Sequence, residues 1–468
     1  MNVYLAIDFG STYTKLTAID LDNETILATA KDITTIEDNI MVGFNKAFEK
    51  LKFEINKIVD FNSINFVNKT ACSSAAGGLK MIAIGLVPEL TTEAAKKSAL
   101  GAGARVIKTY AYELNHKELE EILNTPLDII LLAGGTDGGN KECIIHNAKM
   151  LAEHNVKIPI VVAGNKSAID EIESVFNQAG LDYYITENVM PFFNKLNVDP
   201  SREEIRKVFM SRIVEAKGMK SAEEFIQGIL MPTPAAVLKA AEILAKGTNN
   251  EEGLGDLIVV DIGGATTDIH SIAKGEPTKP SMIIKGLIEP YAKRTVEGDL
   301  GMRYSALALL EASGENKIKH YLDSSLKDID INKSCQYRHD HIKMTPQTDE
   351  EFKFDEAMAK VATELAMTRH CGELECVYTP MGTMFNLTGK DLTETPYVIG
   401  TGGVIVHSEN PSKILESGNF KEDDPIHLKP VNPKFLIDKS YILSAMGLLA
   451  QEYPNIAIRI MKKYLVKV

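Results

Sequence analysis

One ten-residue pattern occurs twice, and it constrains this chain more than any other feature. Ala6-Ile-Asp-Phe-Gly-Ser-Thr-Tyr-Thr-Lys15 is matched by Val259-Val-Asp-Ile-Gly-Gly-Ala-Thr-Thr-Asp268. In each copy an apolar strand ends in Asp, one residue intervenes, a Gly turn with hydroxyl side chains follows, and a second strand returns. Two copies so far apart in sequence predict two similar domains facing each other. At 468 residues the chain has room for about three domains, so a further domain is expected besides the pair.

The repeated unit suits phosphate. A phosphate chain needs close backbone N–H donors, which glycine permits, together with hydroxyl donors. Gly10, Ser11, Thr12 and Lys15 in the first copy, and Gly263, Gly264, Thr266 and Thr267 in the second, are the candidate contacts. Lys15 either adds charge to a phosphate or faces solvent from the return strand. Asp8 and Asp261 end their strands, where they would hold the waters of a Mg²⁺ ion and act on the attacking water. A third glycine-rich strand end, Gly400-Thr-Gly-Gly403, offers Gly400, Gly402 and Gly403 as a surface for a nucleoside. The competing reading is a set of hairpins with Gly turns. The P-loop pattern and a clean G-x-G-x-x-G after a strand do not occur.

Composition narrows the partners. Hydrophobic residues make up 44% and charged residues 25%, as in globular proteins. The 64 acidic and 51 basic residues leave a net charge of −13, which repels nucleic acid and anionic lipid. Mg²⁺ and backbone N–H groups can hold ATP without a basic surface, so the charge does not oppose a nucleotide. Asp8 falls where a signal peptide would be apolar, and no apolar run is long enough to span a membrane. Five scattered cysteines imply no disulfide framework, and a cytoplasmic setting is expected.

Along the chain, an opening antiparallel meander is followed by a helix expected over 36–52. Strands at Leu127–Ala133, Ile158–Ala163 and Asp182–Thr186 alternate with helices over 139–154 and 166–178, the pattern of a parallel sheet. Helix is expected over 201–229, 234–246, 296–312, 353–370, 440–452 and 454–465. Residues 314–350 are polar and read as loop-rich, Tyr397–Ile399 reads as an apolar strand entering the third glycine cluster, and Val404–Val406 follows it as helix or strand.

Several other groups carry weaker signals. Gly134–Gly139, with Asp137, sits at a strand's carboxyl end, either as a ligand site or as a turn. Cys72–Gly78 reads as a packing turn. His370, Cys371, Glu373 and Cys376 invite a metal, yet a closed zinc site wants four ligands, and one Cys pair would have to share an iron–sulfur cluster with a second subunit. The cobalamin pattern D-x-H-x-x-G stops short after Asp268-Ile-His270, so any cobalamin would be held by a partner.

The two phosphate-loop candidates, the Val398–Val404 segment, Met231-Pro-Thr-Pro-Ala-Ala-Val237 and Ile442–Leu449 together resemble the signature of the actin, sugar kinase and Hsp70 ATPase superfamily, in its order. That resemblance implies an α/β fold of two lobes, duplicated ribonuclease H-like domains, with an α/β insertion in the first. The expected division is 1–70 for the start of the first lobe and 71–230 for the insertion. Residues 231–255 would be a connecting helix and loop, 256–439 the second lobe, and 440–468 helices returning to the first. Ala71–Lys80, Leu131–Gly139 and Arg294–Arg303 add a closer similarity to the MutL (also GlmL) family, distinct from the mismatch-repair protein of the same name.

Members of that family accompany coenzyme B12-dependent glutamate mutase (methylaspartate mutase). The resemblance implies a chaperone-like reactivating factor that uses ATP and Mg²⁺ to release damaged cobalamin from the mutase subunits. Where Hsp70-like members place an acid before the first connecting helix, this chain has Met231, so slow hydrolysis is expected, suited to a switch. The rivals are a small-molecule kinase of the same superfamily and a nucleotide-regulated scaffold that never hydrolyses ATP.

Overall fold

The computed structural model describes residues 1–10, 12–35, 40–74, 79–216, 229–326, 328–380 and 382–468. The chain opens with β1 (Asn2–Phe9), β2 (Tyr13–Asp20) and β3 (Thr25–Ile33), an antiparallel meander, and β4 (Asn65–Ser73) then adds in parallel to β1. Between β3 and β4, helix Ile40–Asn56 lays Phe44, Ala47, Leu51 and Ile55 on the sheet at helical spacing. The next five strands, β5 (Leu79–Gly85), β6 (Ala104–Ala111), β7 (Ile129–Leu132), β8 (Ile160–Val162) and β9 (Tyr183–Ile185), form their own parallel sheet. The chain then returns as β10 (Ile229–Pro232), which pairs in parallel with β4. The first sheet therefore has the order β10-β4-β1-β2-β3.

The second half repeats this plan. β11 (Leu257–Ile262) and β12 (Thr267–Ile272) are antiparallel neighbours, and β14 (Ala292–Glu297) pairs antiparallel with β12, after a short β13 (Met282–Ile284). β15 (Glu373–Thr379) and β16 (Gly382–Thr388) join β13 in a small separate sheet. β17 (Tyr397–Thr401) and β18 (Lys434–Ile437) add in parallel beside β11, and β19 (Val466–Lys467) closes the edge. The order β14-β12-β11-β17-β18 matches β3-β2-β1-β4-β10 strand for strand. This duplication is the α/β, two-lobed actin-like arrangement that the superfamily resemblance implied.

The sheet inserted between β4 and β10 has the order β6-β5-β7-β8-β9, with helices Glu142–Glu153 and Ile169–Ala179 among its crossovers. Its three sequence-predicted strands are present as β7, β8 and β9, each shorter than expected. β5, β6 and the helices Glu93–Gly101 and His116–Asn124 precede them in the chain. Apolar residues of this sheet, including Leu79, Met81, Ile129 and Val161, share one core with Val3, Phe9 and Leu51 of the first lobe.

Two expectations are corrected, and one left open is settled. The helix over 296–312 is mostly absent: β14 runs to Glu297 and helix begins only at Ala306. The reason is Gly301, which packs so closely under the second hairpin that a Cβ there would lie 2.4 Å from the Ala265 carbonyl carbon. The polar stretch 314–350 contains helices Glu315–Tyr321 and Ile331–Asp340, the second capped by the Asp330 carboxylate accepting from Lys333 N. These helices read as loop because they bury few side chains. The Val404–Val406 segment is part of a short helix, Gly403–Val406.

Among the described residues no helix is long and apolar enough to cross a membrane. The helices predicted over 36–52 and 201–229 are seen as Ile40–Asn56 and Asp199–Ala216, with 36–39 and 217–228 outside the described residues.

Candidate functional site

Each repeated motif forms a tight hairpin. Asp8 pairs across from Lys15, and Asp261 pairs across from Asp268, at the same place in the two turns. Gly10 N donates to Tyr13 O at 3.1 Å, and Gly263 N donates to Thr266 O at 2.9 Å. Gly10 is required because a Cβ would sit 2.6 Å from Tyr13 O. Ser11 lies outside the described residues. Thr12 and Thr266 are partly open to solvent, whereas Thr267 is buried and its hydroxyl donates to Leu300 O at 2.6 Å. Thr267 is therefore committed to the fold, and Thr266 is the hydroxyl of the second hairpin that faces outward.

The two lobes are joined by helices Thr233–Lys246 and Leu443–Leu449. They cross at Gly447, where a Cβ would approach Ala236 O to 1.9 Å. Asp8 lies at their starts. Thr233 Oγ1 donates to Asp8 Oδ1 at 2.7 Å, and Ser444 Oγ donates to Asp8 Oδ2 at 3.2 Å. Both connecting helices thus hold the carboxylate that ends β1. Met231, buried in β10, precedes the first of them.

The corresponding position of the second lobe does carry an acid. Asp438 follows β18 directly, as the start of the connecting helix follows β10, and it is buried. Its carboxylate accepts from Ile442 N at 2.9 Å and Leu443 N at 3.1 Å. Burial raises its pKa, opposed by those backbone donors, by Lys15 and by the Thr401 hydroxyl. Tyr441 lies beside it, with Lys15 Nζ 4.5 Å from the ring centroid. Lys15 therefore points between the lobes and not to solvent. Asp438 and Tyr441 escaped the sequence reading, although their place after an apolar strand and before a predicted helix was a usable signal.

Asp261 sits within this group. Burial pushes its pKa up to about 7, reinforced by Asp268, Asp8 and Asp438 and opposed by Lys15. Such crowding of carboxylates is relieved by a divalent cation. Among the described residues no three His, Cys, Asp or Glu side chains are placed to hold a metal together. Mg²⁺ keeps most of its waters and takes one or two carboxylates, and Asp8 and Asp261 are the residues that would hold those waters.

The glycines differ in role. Gly264 is open, its nearest neighbour to an added Cβ being the Arg303 side chain at 3.7 Å. Gly400 is buried, and a Cβ would meet Ile405 at 2.8 Å, so it serves packing. Gly402, at φ +98°, lies against the backbone of Ile262, where a Cβ would fall 2.3 Å from the carbonyl oxygen. Gly403 is exposed and faces the Tyr441 hydroxyl. Of the three, Gly403 presents backbone outward.

Segment Arg294–Arg303 braces the second hairpin. Met302 N donates to Gly263 O at 3.0 Å and Arg303 N donates to Gly264 O at 2.8 Å. Arg303 is anchored on Asp355 at 2.7 Å.

The remaining sequence candidates separate from this cleft. Asp137 is used inside its own loop, accepting from Asn188 Nδ2 at 2.9 Å and Lys166 N at 3.1 Å. Cys72 is buried beside Asp8, and burial pushes its thiol pKa up, while Ala75–Gly78 lie outside the described residues. Cys371 is buried and Cys376 exposed. His270 is buried, with neither ring nitrogen partnered among the described residues.

Comparison with known proteins decides the family. The family model described as "MutL protein" matches residues 4–465. The chain belongs to the MutL family. It is 67% identical over all 468 residues to "Protein MutL" of Clostridium tetanomorphum, covering 100% of both chains. Similar solved structures include an activator of the 2-hydroxyisocaproyl-CoA dehydratase from Clostridium difficile with bound ADPNP, at 9% identity and TM-score 0.32 over 98% of this chain and 97% of that one. A gluconate kinase from Lactobacillus acidophilus matches at 10% identity and TM-score 0.35, over 100% of this chain and 92% of that one.

Proposed function

We propose that this family member binds Mg²⁺-ATP between its lobes and hydrolyses it slowly, as a chaperone-like reactivating factor for coenzyme B12-dependent glutamate mutase. The observation that carries the nucleotide reading is the convergence of two like hairpins, with Asp8, Lys15, Asp261 and Asp438 within electrostatic reach of one another. The mutase assignment rests on the family.

Mg²⁺, when bound, supplies charge to the β- and γ-phosphates. Gly10, Thr12, Gly263 and Gly264 contact the phosphates, with Ser11 and Thr266 as further candidates, and Gly403 supports the nucleoside. Lys15 adds positive charge from the first lobe. Asp261 holds a water for attack. Asp8 transmits the state of the site to both connecting helices through Thr233 and Ser444, so lobe closure alters the surface offered to the mutase. A cytoplasmic setting goes with this reading, as the scattered, unpaired cysteines suggest.

The deciding experiment uses purified glutamate mutase inactivated with cyanocobalamin. Addition of this chain, Mg²⁺-ATP and fresh coenzyme B12 restores mutase turnover, and Asp8→Ala or Asp261→Ala removes the effect. Full reactivation without ATP supports a scaffold instead. ADP formation that depends on a small hydroxylated or carboxylated substrate, without mutase, supports a kinase.

A further inference from the structure

The inserted domain belongs to the first lobe by sequence and by its apolar core, yet its buried ionic contacts run to the second lobe. Two of them meet helix Glu93–Gly101. Lys97, on that helix, pairs with Glu289 at 2.8 Å, and Glu289 also pairs with Lys293 of β14 at 3.2 Å. Arg294, on β14 and only 4% exposed, donates from Nη1 to Ala104 O at 2.8 Å and Leu100 O at 3.1 Å. These carbonyls lie at the helix end and at the start of β6, where a cation is favoured by the helix dipole.

The same guanidinium reaches back toward the candidate nucleotide site. Its Nε and Nη2 donate to Asp268 Oδ1 at 2.8 and 2.5 Å. Asp268 stands opposite Asp261 across the second hairpin. Thr266, the outward hydroxyl of that hairpin, donates to the other Asp268 oxygen at 3.0 Å. One side chain therefore spans from the phosphate hairpin of the second lobe to the backbone of the inserted domain.

We propose that Arg294 is a positioning residue that latches the inserted domain to the second lobe and couples its hold to occupancy of the nucleotide site. The proposal rests on the nucleotide reading above. Without Arg294, Asp268 becomes an unpaired negative charge beside the place a phosphate would occupy, which opposes an anion. The carbonyls of Leu100 and Ala104 lose their shared donor at the same time. Coupling of this kind is reciprocal: if the latch favours nucleotide, nucleotide favours the latch. Lysine cannot serve both ends, since it lacks the planar fork that addresses a carboxylate and two carbonyls together.

The test uses the full chain, Mg²⁺ and a non-hydrolysable ATP analogue, and reads analogue affinity together with amide exchange over 93–111. In the unaltered chain the analogue slows exchange there by about tenfold, a typical linkage. In Arg294→Met the analogue binds about tenfold more weakly and, at saturation, no longer slows that segment. Arg294→Lys recovers affinity, by restoring charge beside Asp268, but not the slowing.

Equal slowing in Arg294→Met, or analogue binding to the unaltered chain without any slowing, overturns the proposal and leaves the nucleotide reading standing. No analogue binding to the unaltered chain overturns both. Should Arg294→Met fail to fold, Arg294→Lys decides on the same readout. Loss of slowing with binding intact supports the latch, and unchanged slowing refutes it.

Discussion

Replacing Asp261 by asparagine should stabilise the protein while removing a group assigned to water and Mg²⁺. The unfolded chain ionises this aspartate at its ordinary value of 3.8, whereas the folded protein holds its proton up to about 7. The folded state is therefore penalised increasingly as pH rises from 3.8, and fully above about 7. Each pH unit of that gap is worth about 1.4 kcal/mol, giving about 4 kcal/mol for a fully enclosed carboxyl and about 2 kcal/mol once its opening to the cleft is counted. For a chain of this length, that is about 2 °C in Tm.

Thermal melting of both proteins in EDTA at pH 8 and pH 5.5 measures it. Asp261→Asn should melt higher at pH 8, with the advantage roughly halved at pH 5.5. Added Mg²⁺ should stabilise the parent at pH 8 more than the variant. A variant no more stable than its parent at pH 8, or equally advantaged at both pH values, would refute the electrostatic account of the site.

Three further outcomes are expected. Gly447→Val drives a side chain into the Ala236 carbonyl and should lower stability by about 3 kcal/mol, seen as a lower denaturant midpoint. Lys15→Met removes the cation facing Asp261 and Asp438, and should weaken ATP binding by about tenfold or more in an equilibrium titration. Of the five cysteines only Cys376 is exposed, and burial pushes the Cys143 and Cys335 thiols up to about 11 and Cys371 to about 12. A thiol reagent should accordingly label one residue in the native protein and five after denaturation.

What sequence alone determined was local. A strand that ends in Asp, turns on Gly and returns through hydroxyl residues is written within ten positions. Its two copies reported both hairpins, and with them the duplicated lobes. Alternating apolar runs with helical segments likewise reported β7, β8 and β9, because period two and period 3.6 are properties of neighbouring residues. The 296–312 expectation failed where a tertiary contact, Gly301 beneath Ala265, prevailed over an apolar pattern.

Tertiary structure decided which residues meet. Asp8 is held by Thr233 and by Ser444, which lie 225 and 436 positions away along the chain. Asp438 occupies in the second lobe the place that Met231 occupies in the first only because the second sheet repeats the first. Arg294 touches the inserted domain 194 and 190 positions from itself. Hydrogen bonds and ion pairs between such distant residues leave no periodicity in the sequence. Asp268 faces Asp261 within its own hairpin, but only packing of the lobes brings Asp8 and Lys15 to it, and these neighbours, with burial, set its charge.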